Sequence, residues 1–295
     1  MARGEGDGQG GAAAVPGAFA MRLVLFALLA ALVGGPATGC GGAEEPCRVS
    51  GAWGEGSYRL VPPEGPGSGA ALVFLHGWGG RADAVAADAG LLAPWRAAGW
   101  AVIAPQGEPR APGDSGGRWN SAGGAGGRDD VAFLRAVAED AAARAGLDRG
   151  RIVLGGFSGG GMMAWRVACE APGDFAAFLP VAGLLWRPLP EGCAGPVRLL
   201  HVHGWADAVV PLEGRAVAGG RLVQGDLFAG LALLRRANGC AGDAPDAVGA
   251  EGVFLVRGWT GCAPGAALGF ALFPGGHVAP EGWGALALGW LAGLP

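Results

Sequence analysis

Short apolar runs that stop at glycine, proline or polar residues recur along the chain after residue 57. Continuous apolar runs of about four to eight residues are typical of strands buried on both faces of a parallel sheet. The first run is ended by Pro62 and Pro63, and we expect it to be an edge strand. The runs predict strands at residues 57–61, 70–75, 100–104, 151–154, 175–181, 197–202, 253–256 and 268–273.

Between these runs, segments with apolar residues three and four positions apart predict helices. The clearest begins near Asp129, where Val131, Leu134 and Ala138 share one face, and either Asp129 or Asp130 can cap its first turn. Other helices are predicted at residues 91–98, 162–170, 226–238 and 283–291. Strands that alternate with helices predict an α/β fold with a mostly parallel central sheet flanked by helices and right-handed crossovers.

Composition limits the classes of protein that fit. With 295 residues, 51% hydrophobic and 16% charged, the chain can bury the core of one large domain, and we see no internal repeat or linker. A net charge of −4 gives no basic footprint, so no nucleic-acid partner is expected. Because 61 residues are glycine, a glycine motif counts here only where the surrounding elements support it.

The N-terminus is typical of an export signal. Met21 and Arg22 precede an apolar run at 23–33, which is too short to cross a membrane, and small residues follow up to Cys40. The segment Ala37-Thr38-Gly39-Cys40 resembles a bacterial lipoprotein cleavage box, so secretion to the periplasm or medium and a lipid anchor on Cys40 both stay open. We expect a non-structural N-terminus at 1–40 and a single catalytic domain at 41–295.

The cysteines favour disulfide bonds, because export leads to an oxidising compartment. The chain has six cysteines and no C-x-x-C spacing, which argues against a zinc or redox motif. Short loops favour the pairs Cys169–Cys193 and Cys240–Cys262, although spacing alone leaves the connectivity open. Cys47 is then either free or paired with Cys40.

Two serines match the pattern G-x-S-x-G. Ser158 lies between a predicted strand and a predicted helix, which is the setting of a nucleophile elbow: the sharp turn exposes the hydroxyl, and small flanking residues let strand and helix approach. Ser115 lies in a Pro/Gly loop. Its segment Gly-Asp-Ser-Gly-Gly resembles that of chymotrypsin-like proteases, but they need His and then Asp upstream on a β-barrel, and only His76 is upstream. We therefore predict Ser158 as the nucleophile.

A serine hydroxyl needs a base to remove its proton. The order Ser–Asp–His of an elbow enzyme requires a late histidine, and His277 is the only one of four that fits. Asp207, just after a predicted strand, is the expected acid that orients the base. Glu213 and Asp226 are alternatives, although Asp226 fits better as the N-cap of the next helix.

Acyl transfer also needs N–H donors for the oxyanion, each worth roughly 3–4 kcal/mol. The backbone N–H of Gly159, directly after the nucleophile, is one candidate. The second is the N–H of Trp78 in His76-Gly77-Trp78-Gly79-Gly80, the loop after the first central strand. His76 is then expected to be structural.

Taken together, these segments resemble the exported polyhydroxybutyrate depolymerase and feruloyl esterase family of α/β-hydrolases. The resemblance runs from about Cys47 to about Gly284. It implies the α/β-hydrolase fold, the triad Ser158–Asp207–His277 and the two short-loop disulfides. The segments are Leu75 to Gly80, Trp119-Asn120, Asp129 to Leu134, Gly156-Phe157-Ser158, Gly160 to Met163, His203-Gly204, Ala206-Asp207, Val210-Pro211, Asn238-Gly239-Cys240 and Gly275-Gly276-His277.

The chain departs from that family at three positions near the site. Gly159 stands where the family usually has Asn, Trp205 where it has Thr, and Ala279 where it often has Trp. The triad survives these changes, but the acyl and leaving-group pockets can differ. Trp78, Trp119 and Trp205 are candidate aromatic platforms for substrate, with core packing as the alternative for each.

The predicted function is hydrolysis of a carboxylic ester through an acyl-serine intermediate, with no metal or cofactor required. Candidate substrates are hydroxyalkanoate oligomers, feruloylated or acetylated polysaccharide fragments and simple esters. We favour small or oligomeric esters, because no separate polymer-binding domain is visible. A prolyl-oligopeptidase-type peptidase and a non-catalytic binding lipoprotein on the same scaffold are the alternatives. The sequence leaves the oligomeric state open.

Overall fold

A computed structural model describes residues 40, 45–124 and 126–294, and apart from Cys40 the predicted export signal lies outside them. The strands are β1 (Cys47–Gly51), β2 (Gly54–Val61), β3 (Ala71–Leu75), β4 (Ala101–Pro105), β5 (Glu108–Pro109), β6 (Gly117–Arg118), β7 (Ile152–Phe157), β8 (Phe178–Val181), β9 (Trp186–Arg187), β10 (Arg198–Gly204), β11 (Ala216–Val217), β12 (Leu222–Gln224), β13 (Ala247–Glu251), β14 (Phe254–Trp259) and β15 (Ala267–Phe273). The helices are α1 (Ala82–Ala87), α2 (Ala89–Ala97), α3 (Asp130–Ala145), α4 (Gly159–Glu170), α5 (Leu227–Ala237) and α6 (Trp283–Ala292).

The main sheet has the strand order β1-β2-β4-β3-β7-β8-β10-β15-β14-β13. Its central strands, from β4 to β15, run parallel, and an antiparallel pair extends each side. The predicted mostly parallel α/β sheet is therefore confirmed. The carboxyl ends of β3, β7, β10 and β15 meet at one edge of the sheet, which is where side chains from distant parts of the chain can converge.

Helices cover both faces of the sheet. The apolar sides of α3, α4 and α5 share one core cluster with the strands, and those of α1, α2 and α6 share the other. Most central strand residues are fully buried, as their continuous apolar runs predict. Within the described residues no helix is long and apolar enough to cross a membrane.

The ends of the helices follow the predicted capping. The side chain of Asp129 accepts a hydrogen bond from the Ala132 N–H at the start of α3, which settles the choice between Asp129 and Asp130. Asp226 caps α5 in the same way through the Ala229 N–H. Asp226 therefore serves as the helix cap and not as the acid of the site.

A strand does form at the predicted residues 57–61, but the prediction that it lies at the edge of the sheet is wrong. It belongs to β2, which is longer and is covered by β1, so β1 forms the edge of the sheet. The sequence analysis missed β1 because only Cys47 of its residues is buried. It missed β13 at the opposite edge for the same reason, since all of that strand is exposed.

Three disulfide bonds lie within the described residues. Cys169 is bonded to Cys193 and Cys240 to Cys262, as the short-loop pairing predicts. Cys40 is bonded to Cys47, one of the two outcomes left open for Cys47. The bond joins the end of the predicted signal segment to the first strand of the sheet.

Candidate active site

Ser158 occupies a strained turn between β7 and α4. Its backbone has φ 55° and ψ −119°, a conformation that side-chain-bearing residues rarely adopt. The turn is tight enough that a Cβ on Gly156 would lie 2.6 Å from the backbone of Gly160, and one on Gly160 would lie 2.3 Å from the Leu75 carbonyl oxygen. The flanking glycines are thus required by packing, which composition alone could not decide.

His277 links Ser158 to Asp207. Its Nε2 lies 2.9 Å from Ser158 Oγ, and its Nδ1 lies 2.7 Å from Asp207 Oδ2. The three residues come from the ends of β7, β10 and β15, so the parallel sheet itself brings them together. The structure places all three predicted triad residues in hydrogen-bond contact.

The carboxylate of Asp207 is buried and accepts several hydrogen bonds. Oδ1 receives the backbone N–H groups of Val209 and Val210, at 2.9 and 2.8 Å, while Oδ2 faces His277 and lies 3.4 Å from His203 Nε2. Burial alone would raise the pKa of Asp207, but the hydrogen bonds from His203, Val210 and His277 outweigh it and lower the pKa to about 2. The group is thus an anion suited to stabilise an imidazolium.

A buried hydrogen-bonded chain of aromatic side chains ends beside this carboxylate. Trp165 Nε1 donates to His201 Nδ1 at 3.1 Å, His201 Nε2 lies 2.8 Å from His203 Nδ1, and His203 Nε2 lies 2.7 Å from the Val210 carbonyl oxygen. Both histidines are completely buried. Burial, with a smaller contribution from His203, holds the pKa of His201 well below its usual range.

The two predicted oxyanion donors lie together above the nucleophile. A Cβ on Gly159 would lie 3.4 Å from the Trp78 backbone nitrogen, and one on Gly77 would lie 3.4 Å from Ser158 Cβ. Gly159 is the first residue of α4, so its N–H has no acceptor within the helix. The backbone segments that carry the two N–H groups therefore lie close to each other and to Ser158, as an oxyanion hole requires.

Hydrogen bonds made by His76 and Trp119 hold the loop that carries Trp78 in place. His76 accepts the Gly107 N–H on Nε2 at 3.1 Å, which leaves Nδ1–H to donate to the Gly77 carbonyl oxygen at 2.8 Å. Burial lowers the pKa of His76, although the bond to Gly77 opposes this shift. Trp119 Nε1 donates to the His76 carbonyl oxygen at 2.8 Å. His76 and Trp119 thus have structural roles in this loop.

The candidate platforms separate into two groups. Trp119 is only 6% exposed, so core packing is its observed role. Trp78 and Trp205 are 65% and 70% exposed, and Val209 and Val278 beside Asp207 and His277 are also exposed. Large apolar side chains that remain exposed around a polar centre are typical of a surface that contacts a ligand.

A cleft of about 880 Å³ lies between α1, α2 and the segment after His277. The triad residues do not line it, but their neighbours Gly77, Ala279 and Phe157 do, and the ring centroid of Phe157 lies 4.8 Å from that of His277. The lining also includes apolar residues such as Val85 and Trp283. Both the volume and the apolar lining suit an organic ligand.

The remaining candidates lie in other loops, at the surface. Ser115 is exposed in the loop before β6, and Glu213 is exposed after β10. The sequence analysis missed the part played by His203. Its signal was present: His201 and His203 alternate along an apolar strand, so both point to the same face, and buried polar residues in such a run need partners.

The chain is similar in sequence and in fold to known hydrolases. A family model described as the alpha/beta hydrolase fold matches residues 70–214. The chain is 38% identical over 180 residues to a protein of Nocardia uniformis subsp. tsuyamanensis named "Putative esterase NocK", and the match covers 55% of this chain and 48% of that protein. It is 32% identical over 169 residues to feruloyl esterase C of Emericella nidulans, which covers 53% of this chain and 57% of that protein.

The chain thus spans about half the length of these curated relatives. Among solved structures, it resembles an acetyl xylan esterase from Aspergillus awamori, with a TM-score of 0.59, 16% identity and coverage of 84% of this chain and 99% of that one. A carboxylesterase from Mesorhizobium loti gives a TM-score of 0.54, 20% identity and coverage of 84% and 99%. At these identities the structural matches bear on the fold alone.

Proposed function

We propose that this protein, an α/β-hydrolase by fold and related in sequence to esterases, hydrolyses carboxylic esters through an acyl-serine intermediate. The observation that carries the proposal is the continuous hydrogen-bonded contact Ser158–His277–Asp207, with the backbone of Trp78 and Gly159 close by. This arrangement supports the proposal, because acyl-transfer catalysis needs a nucleophile, a base, an orienting acid and oxyanion donors.

In the proposed reaction, His277 Nε2 takes the proton of Ser158 as Oγ attacks the ester carbonyl carbon. The N–H groups of Trp78 and Gly159 stabilise the oxyanion, while Asp207 stabilises the imidazolium. The tetrahedral intermediate collapses, and His277 returns the proton to the departing alcohol. Water, activated by His277, then attacks the acyl-serine and releases the carboxylic acid and the free Ser158 hydroxyl.

For the substrate, we propose an ester with a bulky apolar half. The exposed Trp78 and Trp205 and the apolar cleft lined by Phe157 and Ala279 support this choice, because they offer apolar area on the side of the triad. The names of the relatives support feruloyl esters among the candidates. Hydroxyalkanoate oligomers and acetylated polysaccharide fragments remain proposals from the resemblance.

We also propose that the protein is exported. Three disulfide bonds within the described residues support an oxidising compartment, since such bonds rarely persist in the cytosol.

The function is tested with purified protein on nitrophenyl esters of increasing acyl length, methyl ferulate and hydroxybutyrate oligomers. We expect turnover to fall by at least about a thousandfold in Ser158→Ala, because the nucleophile is lost. Ser115→Ala is the matched control, since it alters the other G-x-S-x-G serine, and it should keep the parental rate. Activity that survives in Ser158→Ala would overturn the mechanism, and a parent inactive on every ester would overturn the proposed function.

A further inference from the structure

The chain Trp165–His201–His203 has only one consistent arrangement of protons. An indole N–H can only donate, so His201 Nδ1 accepts and carries no proton. His201 is kept neutral by burial, and its remaining proton is therefore on Nε2, where it donates to His203 Nδ1. His203 Nδ1 thus accepts, and the proton of that ring is on Nε2.

This arrangement directs a neutral N–H group at the acid of the site. His203 Nε2–H donates to the Val210 carbonyl oxygen at 2.7 Å and also faces Asp207 Oδ2, at 3.4 Å. That carboxylate oxygen is the one that contacts His277 Nδ1. Asp207 is therefore bordered by two imidazole rings, and the ring of His203 presents its N–H to this side.

We propose that His203 is a positioning residue of the site: held neutral by Trp165 and His201, it fixes the Asp207 carboxylate against rotation without competing for its charge. The proposal rests on the proposed function for its catalytic meaning, and on the geometry alone for the effect of His203 on Asp207 and His277. A protonated imidazole in place of His203 would instead satisfy the carboxylate and weaken its effect on His277.

Among the described residues, the side chains that contact His201 and His203 come from three elements. On the same strand His203 contacts His201, and the following loop supplies Asp207. Helix α4 supplies Trp165, and from β15 the ring of Phe270 stacks on His201 with centroids 6.1 Å apart. Trp165 and Phe270 carry no charge, so Asp207 is the charged group among these contacts.

The test compares His203→Phe, which removes the donor but keeps a ring, with His203→Gln, whose amide can donate from nearly the same place. Phe270→Leu is a matched control that loosens the same buried region without removing a hydrogen bond. The stability of each variant is measured by denaturant unfolding. Because the chain has four histidines, the ring signals can be assigned and followed by NMR as the pH changes.

We expect the midpoint at which His277 gains its proton to move to lower pH in His203→Phe, since a carboxylate that is free to rotate holds the neighbouring imidazolium less strongly. The midpoint should return toward the parental value in His203→Gln and stay there in Phe270→Leu. In ester assays, kcat of His203→Phe should fall about tenfold with KM little changed, because Asp207 then stabilises the imidazolium less at the transition state.

The outcomes separate the two proposals. A His277 midpoint that stays at the parental value in His203→Phe, or that Phe270→Leu moves equally, overturns the positioning role whatever the protein hydrolyses. A midpoint that moves and is restored by Gln in a parent without esterase activity supports the positioning role and overturns only the proposed function.

Discussion

His277 Nε2 lies 2.9 Å from Ser158 Oγ, although the two residues are 119 positions apart in the chain. The contact depends on β15 lying beside β10 and on the tight turn at the end of β7. The predictions that follow change one feature of this arrangement at a time.

The turn at Ser158 should not tolerate a methyl group on its helical side. In Gly160→Ala the new Cβ would lie 2.3 Å from the Leu75 carbonyl oxygen, so we expect a loss of about 2 kcal/mol or more in the free energy of unfolding, together with loss of activity. Gly289→Ala, in α6, meets nothing closer than 3.7 Å and should instead stabilise by up to about 1 kcal/mol. Denaturant unfolding of both variants measures the change in the free energy of unfolding, and an equal change in the two variants would contradict the prediction.

Asp207 should make the stability of the protein depend on acid. Its pKa is lowered from 3.8 to about 2 in the folded state, so its ionised form stabilises the fold fully above about pH 4. That contribution is lost as the pH falls toward 2. We expect the stability difference between the parent and Asp207→Asn to be constant near neutral pH and to shrink between about pH 4 and 2. Urea unfolding at several pH values measures it; a difference that does not change with pH would contradict the prediction.

The cleft beside the triad should control the size of the substrate. Ala84 lines the cleft on α1, whereas Ala87 on the same helix is exposed outside it, which makes Ala87→Trp a matched control for Ala84→Trp. We expect Ala84→Trp to lower kcat/KM for bulky esters about tenfold or more and to leave small esters unchanged.

Two series of esters show whether the acyl group or the alcohol of the substrate enters the cleft. One varies the acyl group on a fixed nitrophenyl alcohol, and the other varies the alcohol of a fixed acetyl group. If Ala84→Trp lowers kcat/KM only for the bulky members of one series, the group that is varied in that series is the one that enters the cleft. The cleft does not hold substrate if Ala84→Trp lowers kcat/KM equally for every ester of both series, or if Ala87→Trp lowers it as much as Ala84→Trp does.

The thiol of Cys40 cannot carry both a lipid thioether and the disulfide bond to Cys47. We therefore propose that the exported chain is released without a lipid anchor. Intact-mass measurement of the mature protein, before and after reduction, should show the disulfide and no added diacylglyceryl group. Recovery of a lipidated Cys40 together with a free thiol at Cys47 would contradict this proposal.

The sequence was most informative where one local constraint acts alone. The strand, the turn and the helix around Ser158 are adjacent in the chain, so the elbow could be predicted, whereas the packing against Leu75 that forbids a Cβ at Gly160 could not. His277 followed from chain order and Asp207 from its place after a strand. The central strands were predictable because they are buried on both faces.

The rest depends on contacts between distant segments. Trp119 was a candidate platform, but its indole N–H donates to His76, 43 positions earlier, and that partner cannot be read from local pattern. The proposed role of His203 depends on Trp165, which lies in α4 and not on the strand that carries this histidine. The edge strand β1 is exposed along most of its length, so its hydrogen bonds to β2 rather than its side chains define it.

The position of β15 between β10 and β14 has a consequence for the order of events during synthesis. The nucleophile and its acid leave the ribosome well before the segment that carries His277. Until that late strand enters the sheet, the hydroxyl of Ser158 has no base and is no more reactive than an ordinary alcohol. Under the proposed mechanism, the incomplete chain therefore cannot attack an ester, and the insertion of β15 completes the site.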